Sequence, residues 1–336
     1  MLKFIILCLV CMGTLHADSV AYIANMQGNN ISILDLKTNT ITGYVNNNGY
    51  DLTHPIDIKF SKDGTKAYVV SDAINQVAII DVATHTIIKK VDDSLFPFSS
   101  PSIFHILESG LKGYVANENG NSVSIIDLSK DRVVGYVDAE GFPFDLPIGI
   151  DSNEEETIAY VANFNGNNVS IIDVNADKVL GYVNNNKEPF SKPVMVKFLG
   201  STKVYVGNYF SSSISIIDPS THNVTGFINQ AACPLSGPMD IIATHDNSKV
   251  YITNPNPNKI STINVTTDAT TGFVRGTYEK PLGLAVSFDN STVYVTNSTQ
   301  NTVALFNVEA NAFIGFVNAG AFPFHNPGKI SIQPPN

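Results

Sequence analysis

AYVANFNGNNVSIIDVNADKVLGYV, residues Ala159–Val183, is nearly repeated by GYVANENGNSVSIIDLSKDRVVGYV, residues Gly113–Val137. The same pattern recurs along the chain with one tyrosine per copy, and these tyrosines are 46, 46, 46, 45, 46 and 43 residues apart. They are Tyr22, Tyr68, Tyr114, Tyr160, Tyr205, Tyr251 and Tyr294. A repeat of about 40–50 residues made of β-forming side chains is typical of a propeller with one four-stranded blade per copy.

Each copy contains four short segments rich in Val, Ile, Tyr and Phe, which are separated by Asn, Gly, Asp and Pro. The third segment is almost continuously apolar, as expected for a strand buried on both faces. No segment has a helical period of any length. The sequence therefore predicts an all-β protein, a single seven-bladed propeller with four antiparallel strands per blade. The first strands begin at Pro55, Pro101, Pro147, Pro193, Pro238, Pro281 and Pro327.

The two ends of the repeat region predict how the ring closes. The chain after residue 17 starts with a second strand, VAYIAN, and ends with a first strand, PGKISIQ at Pro327–Gln333. Pairing of these segments would complete one blade and leave no free sheet edge at the seam. We predict one domain over residues 18–336, with repeats that start near residues 21, 67, 113, 159, 204, 250 and 293.

Residues 1–17, MLKFIILCLVCMGTLHA, have a basic start, an apolar centre and a small residue at the end. This order is typical of a secretory signal, and we predict cleavage after Ala17. The apolar run is too short to span a bilayer of ~30 Å, so no membrane anchor is expected. Neither Cys8 nor Cys11 follows a small residue, which disfavours a lipoprotein. The mature protein is predicted to be exported, to the periplasm or outside the cell.

Charge and cysteine content limit the partners of the mature chain. Without Lys3 it has 19 basic and 30 acidic residues and no Lys/Arg cluster. Such a chain repels phosphate backbones, so nucleic acid is not an expected partner. Cys233 is the single cysteine left after cleavage, which excludes an internal disulfide. We expect a monomer with a partly buried thiol.

The motifs AYIAN, AYVAN, VYVGN, VYITN and VYVTN, each followed by an ISIID-type strand, resemble those of the YVTN-repeat β-propellers. The resemblance covers essentially the whole mature chain. It implies an exported or surface-exposed propeller with a role in binding or adhesion. Related propellers include lactone hydrolases and quinone- or haem-dependent oxidoreductases, and the fold does not choose among them.

The connectors between blades depart from that family because they are long, and five contain Pro-[Phe/Leu]-x-x-Pro. Two interpretations stay open: a plug inserted between blades, or an aromatic collar at the channel mouth that stacks a ligand. Leu52 and Leu235 are variants of the motif, and His54 and His325 lie close to blade prolines near the mouth. The aromatic candidates for binding are Phe96, Phe98, Phe142, Phe144, Phe190, Phe322 and Phe324.

Recurrent polar residues are assigned to turns. An Asn three residues after the tyrosine and another four residues later bracket the turn between the second and third strands, where Asn tolerates left-handed backbone. The alternative is a ring of amides that binds a sugar or peptide. The Asp or Asn that ends each third strand is predicted to cap a hairpin rather than bind metal. His85 and His222 are predicted to be exposed in turns.

The first strands should line the channel, where a site must break the repeat symmetry. Their variable polar residues give the channel-lining candidates Asp57, His105, Asp240 and Lys329. No catalytic motif, metal site or cofactor is predicted. We expect a non-enzymatic binding scaffold that holds a protein, peptide or glycan on the face that bears the connectors.

Two alternatives to the scaffold remain. One is a hydrolase of the lactonase type or a cofactor-dependent oxidoreductase, in which the channel candidates and His54 converge at one end of the channel. The other is a self-associating surface-layer component.

Overall fold

The computed structural model describes residues 20–185, 189–229, 235–274 and 276–335. Within these ranges it has 28 strands in seven four-stranded antiparallel sheets, which confirms the predicted all-β propeller. The predicted signal segment and Cys233 lie outside the described residues. No helix in the described part of the chain is long and apolar enough to cross a membrane.

The innermost strand of each blade begins at or just after the repeat proline, because proline is tolerated at the first residue of a strand. These strands are β4 (Pro55–Phe60), β8 (Pro101–Ile106), β12 (Pro147–Ser152), β16 (Pro193–Leu199), β20 (Asp240–Ala243), β24 (Pro281–Val286) and β28 (Pro327–Ile332). The second strands carry the repeat tyrosines. They are β1 (Val20–Asn25), β5 (Lys66–Ser71), β9 (Lys112–Asn117), β13 (Ile158–Asn163), β17 (Lys203–Asn208), β21 (Lys249–Asn254) and β25 (Thr292–Asn297).

The third strands are buried almost throughout, whereas the outermost strands alternate between buried and exposed residues. The third strands are β2 (Asn30–Asp35), β6 (Gln76–Asp81), β10 (Ser122–Asp127), β14 (Asn168–Asp173), β18 (Ser213–Asp218), β22 (Lys259–Asn264) and β26 (Thr302–Asn307). The outermost strands are β3 (Thr40–Tyr44), β7 (Thr86–Lys90), β11 (Arg132–Tyr136), β15 (Lys178–Tyr182), β19 (Asn223–Ile228), β23 (Ala269–Val274) and β27 (Ala312–Phe316).

The last strand completes the first blade. Strand β28 pairs antiparallel with β1, so the first sheet has the order β28-β1-β2-β3. The inner strands contact one another in succession around the ring, and β28 contacts both β24 and β4. The C-terminal strand therefore joins the first blade to the seventh, as predicted.

The core is divided among the seams between blades. Seven buried apolar clusters each combine residues of two neighbouring blades, and each contains one repeat tyrosine. The tyrosines are at most 3% exposed. The side chain that defines the repeat is thus the one that fills the seam, which explains why every copy keeps it.

The hairpins that end the third strands are capped as predicted. In all seven, the side-chain oxygen of the last residue accepts a backbone N–H from the following turn. Competition of Asx side chains for nearby backbone donors favours such tight turns. These residues are Asp35, Asp81, Asp127, Asp173, Asp218, Asn264 and Asn307.

The repeated asparagines on the connector face hold the connectors. Asn75 in the second blade and Asn117 in the third accept the backbone N–H groups of Ser100 and Ser99, which lie in the connector between them. Equivalent bonds recur around the ring. The second asparagine of each turn has a positive φ, as does Ser212 in its place. These amides are therefore structural.

Candidate functional site

The central channel is the concave feature that the fold creates. Positions on the inner strands are counted from the repeat proline, which is Pro238 for β20. The second residue lies beside the connector face, and the fifth lies deeper, toward the opposite face. A cavity of about 340 Å³ runs from the connector mouth to the fifth residues. A second cavity of about 360 Å³ continues from there to the opposite face.

Charged side chains form a belt between the two halves of the channel. His105, Asp151 and Lys197 line both cavities, and together with Lys59 they also line a third of about 540 Å³. All four are the fifth residues of consecutive inner strands, from β4 to β16. The equivalent residues of the other three blades are Ile242, Ala285 and Ser331, so the charged fifth residues are confined to four consecutive blades.

Three channel carboxylates also tie adjacent blades together. Asp57 accepts the backbone N–H of Phe104 at 2.9 Å, and Asp240 accepts that of Leu284 at 2.9 Å. Asp151 accepts the backbone N–H of Phe198 at 2.8 Å. Each bond joins the inner strand of one blade to that of the next.

The predicted channel residues form separate pairs rather than one cluster. Asp240 pairs with Lys329, whereas His105 contacts Asp151 and Ser152. Asp57 is only 1% exposed, and its second oxygen lies 3.6 Å from Lys59 Nζ. Of the five residues expected to converge in the enzyme alternative, His105, Asp240 and Lys329 line the cavity of about 340 Å³, whereas Asp57 and His54 are not among its lining residues.

Burial sets the protonation of the belt. Burial lowers the pKa of His105 to about 4. The charges of Lys197 and Lys59 lower this pKa further, whereas the charge of Asp151 opposes the shift. Burial alone would raise the pKa of Asp151, but Lys197, His105 and the Phe198 amide outweigh it and the pKa falls below its usual range. At neutral pH the belt holds a neutral imidazole beside a carboxylate.

The second aromatic of each Phe-Pro-Phe connector is a plug. Phe98, Phe144, Phe190 and Phe324 are 2–4% exposed and belong to the seam clusters. Leu52, Leu235 and Tyr278 fill the remaining three seams. Burial leaves these side chains no surface for a ligand, and it provides the apolar packing that the plug interpretation requires.

The first aromatic of the motif lies at the outer rim rather than at the channel mouth. Phe142 meets the ring of Tyr182 edge-on at 5.5 Å, and the Tyr182 hydroxyl donates to the carbonyl of Pro143 at 2.7 Å. Phe96 with Tyr136 and Phe322 with Tyr44 repeat this arrangement. Each tyrosine ends the outermost strand of the following blade. The three phenylalanines therefore clamp connectors, and Phe142 remains 37% exposed.

The two histidines near blade prolines lie on the connector face. His54 Nδ1 is 2.6 Å from an Asp72 carboxylate oxygen, and His54 adopts a positive φ. The side chain of His325 is exposed and makes no hydrogen bond or ion pair among the described residues. Its backbone N–H donates to the Asn25 side chain. Neither histidine joins the channel belt.

Sequence reasoning missed two features. Ser152 was not singled out, although it donates to or accepts from His105 Nε2 at 2.7 Å. The prediction that His85 and His222 are exposed was wrong, because each is half-buried and contacts a repeat tyrosine hydroxyl at 2.6 Å. Of these two features, only Ser152 could have been found from the sequence, because it places a hydroxyl where the other six copies have an apolar residue. Among the described residues no cluster of His, Cys, Asp and Glu is arranged to hold a metal ion.

Comparison with known proteins identifies the fold. No family model and no curated protein matches this chain. A functionally unknown protein from Desulfotomaculum acetoxidans superposes with a TM-score of 0.74 and 15% identity, over 94% of this chain and 99% of that one. A candidate 6-phosphogluconolactonase from Bacteroides uniformis gives 0.72 and 15%, over 94% and 100%. Hydrazine synthase from Kuenenia stuttgartiensis gives 0.65 and 16%, over 79% and 87%. Likeness at this identity extends to the propeller fold alone.

Proposed function

We propose that the chain is an exported binding protein that takes an extended peptide into the connector mouth of its channel. The observation that carries this is the composition of the mouth. One cavity of about 340 Å³ is lined by the second residues of five consecutive inner strands, which are apolar in four blades and a serine in one: Ile56, Ser102, Ile148, Val194 and Met239. Met239 is 38% exposed. A concave apolar surface beside a few polar groups favours ligand binding.

A peptide fits this mouth better than a glycan does. Sugars are commonly held by stacking on an exposed aromatic face, and the connector aromatics are packed into seams or against rim tyrosines. The mouth is aliphatic, and Glu118 lies at its edge. Burial and the charge of Asp72 raise the pKa of Glu118, so a cation beside it would be favoured. An apolar side chain next to a lysine, arginine or amino terminus matches these groups.

Export to the periplasm or the outside is part of this proposal and rests on the N-terminal sequence. The rival function, a lactonase-type hydrolase or a cofactor-dependent oxidoreductase, gains no support from convergence of His54, Asp57 and Lys329. The self-associating surface-layer alternative rests on Cys233, which lies outside the described residues.

Peptide selection on the mature chain tests the proposal. Peptides from a displayed random library are measured by calorimetry against the wild type, Ile148→Glu and the control Leu111→Glu. Leu111 is 65% exposed in a turn on the opposite face. We expect selected peptides to share apolar and basic residues and to lose about tenfold or more in affinity with I148E only. Peptides that bind both variants equally, or binding of glycans with no peptide selected, would reject the connector-mouth site.

A further inference from the structure

The seam between the third and fourth blades breaks the repeat at one position. The sixth residue of the inner strand is apolar in six blades and is Ser152 in the fourth. The apolar residue normally packs into the seam, as Phe60 does against Tyr22 and Phe198 against Tyr160. Those six residues are Phe60, Ile106, Phe198, Ala243, Val286 and Ile332.

The hydroxyl meets the histidine that is unique among the fifth residues of the inner strands. His105 Nε2 lies 2.7 Å from Ser152 Oγ, and Nδ1 lies 3.5 Å from Asp151 Oδ1. The imidazole thus stands between a hydroxyl and a carboxylate on its two opposite nitrogens. The contact to the carboxylate is longer than a hydrogen bond, and such contacts commonly shorten when a substrate binds.

The carboxylate is held in place by two donors. The backbone N–H of Phe198 and the ammonium of Lys197 bind Asp151 Oδ2 at 2.8 and 3.0 Å. This leaves Oδ1 directed to the imidazole. A nucleophile, a base and a group that orients the base are the three parts of an activated serine.

The site is open to solvent on one side. Ser152 and His105 line the cavity of about 360 Å³ that leads to the face opposite the connectors, together with Lys197 and His245. The charges of Asp151, Lys197, Lys59 and Glu156 act on His105. Two of these groups are lysines and two are carboxylates, and Glu108 and Glu154 also line the cavity, so the charges select no sign of substrate. Lys197 is the cation of the cavity lining and can stabilise a negative oxygen formed during reaction.

We infer that Ser152 and His105 form a nucleophile–base pair that hydrolyses small carboxylic esters. Ser152 Oγ attacks the carbonyl carbon and its proton passes to His105 Nε2. His105 then protonates the departing alcohol as the ester C–O bond breaks, which leaves an acyl group on Ser152. Water attacks this acyl group, gives one proton to His105, and the acid leaves as Ser152 regains that proton.

This activity is independent of the peptide-binding proposal because the serine opens to the opposite face. The primary experiment uses the wild-type mature chain and a fluorophosphonate probe, which phosphonylates an activated serine with loss of fluoride. We expect a single label on Ser152 by peptide mass mapping. A label elsewhere, or none on Ser152 under conditions that label a known serine hydrolase, would overturn the inference.

Variants separate catalysis from structure. Hydrolysis of p-nitrophenyl succinate is compared for the wild type, Ser152→Ala, His105→Gln and Ser331→Ala. Ser331 is the fifth residue of another inner strand, β28, and its side chain makes no hydrogen bond to a histidine among the described residues. S152A should abolish activity, H105Q should lower kcat about 100-fold or more, and S331A should match the wild type. Equal labelling rates in H105Q and the wild type would show that the histidine is structural.

The electrostatic part of the inference has its own readout. The kcat for p-nitrophenyl succinate should fall about tenfold or more in Lys197→Met, because the ammonium no longer stabilises the negative oxygen formed during reaction. Activity should be constant from about pH 6 to about pH 8 because His105 is already neutral there. A kcat unchanged by K197M would exclude Lys197 from the stabilisation of the reacting oxygen.

Discussion

Tyr68 of the second blade donates its hydroxyl to Asp131, which lies in the turn between the third and fourth strands of the third blade, over 2.9 Å. Asp131 also pairs with Lys66, two residues before the tyrosine, at 2.7 Å. Asp131 adopts a positive φ. The turn residue therefore ties two blades at a seam.

The same tie recurs with a matched change of partners. Asp177 and Asp268 bond to the repeat tyrosine and to the lysine two residues before it. Where the turn residue is His85 or His222, the residue two positions before the tyrosine is Val20 or Ile158, which carries no charge. A carboxylate is thus accompanied by a cation and a neutral imidazole by an aliphatic side chain, as the cost of burying an unpaired charge requires.

One seam has a tyrosine whose hydroxyl has no partner, which allows a matched test of the tie. Tyr68→Phe removes the donor to the Asp131 carboxylate and should lower the free energy of unfolding by about 2 kcal/mol. Tyr251→Phe removes a buried hydroxyl that bonds to nothing among the described residues. Its expected effect is zero or slightly stabilising, since an unsatisfied polar group is lost. Both are measured by urea unfolding, and equal losses would contradict the tie.

The seam at Tyr251 can be completed. Lys249 is two residues before the tyrosine, as in the aspartate seams, but the turn residue is Asn311, whose side-chain oxygen has no hydrogen-bond donor in the described structure. Asn311→Asp should give the Tyr251 hydroxyl and the Lys249 ammonium a carboxylate partner. The free energy of unfolding should rise by about 1 kcal/mol, and by less at high salt. The control is Asn39→Asp, where Thr292 replaces the lysine. Thermal melting should show a gain for N311D alone.

Much of the fold could be predicted because each repeat states it again. The spacing of the tyrosines, the prolines before the first strands and the two half-blades at the ends predicted strand order and closure correctly. The histidine ties could not be predicted, because His85 contacts a tyrosine 63 residues away in another blade. The sequence of a single repeat shows only a polar residue in a turn and does not reveal the tyrosine of the neighbouring blade.

The candidate site was predictable only where it departs from the repeat. His105, Asp57, Asp240 and Lys329 lie on inner strands, as the strand order predicted, but Asp57 is only 1% exposed and does not line the three cavities described above. Which of them meet depends on backbone offsets between blades, and the period does not encode these offsets. Ser152 was visible as an odd hydroxyl in an apolar column, but its partner was not.

The buried and the exposed connector aromatics should contribute differently to stability. Phe144→Ala empties a buried seam site and should cost about 3–5 kcal/mol. Phe142→Ala removes an exposed edge contact with Tyr182 and should cost about 1 kcal/mol. Urea unfolding of the two single variants measures the difference. Similar losses in the free energy of unfolding would mean that the rim contact and the buried plug stabilise the fold equally, which would contradict the expectation from their burial.

The N-terminal prediction is checked by mass. Expression of the full chain in a secreting host should give a mature protein that begins at Asp18, because a small residue precedes the cleavage site. Ala17→Leu should block this cleavage and leave a longer, cell-associated product. A secreted wild type that keeps residues 1–17 would contradict the assignment.

The histidine ties make stability depend on pH. Burial lowers the pKa of His85 and of His222, against the charges of Asp81 and Asp218. Below about pH 6.5 the unfolded chain therefore takes up protons that the folded chain does not, and the free energy of unfolding falls until pH passes the folded pKa. The variant H85N/H222N keeps an acceptor for each tyrosine, as Asn39 does for Tyr294, but does not titrate. Urea unfolding between about pH 7.5 and about pH 4.5 should show a smaller loss for the variant. His105 contributes equally to both proteins, so equal losses would mean that these histidines titrate alike in the folded and unfolded chains.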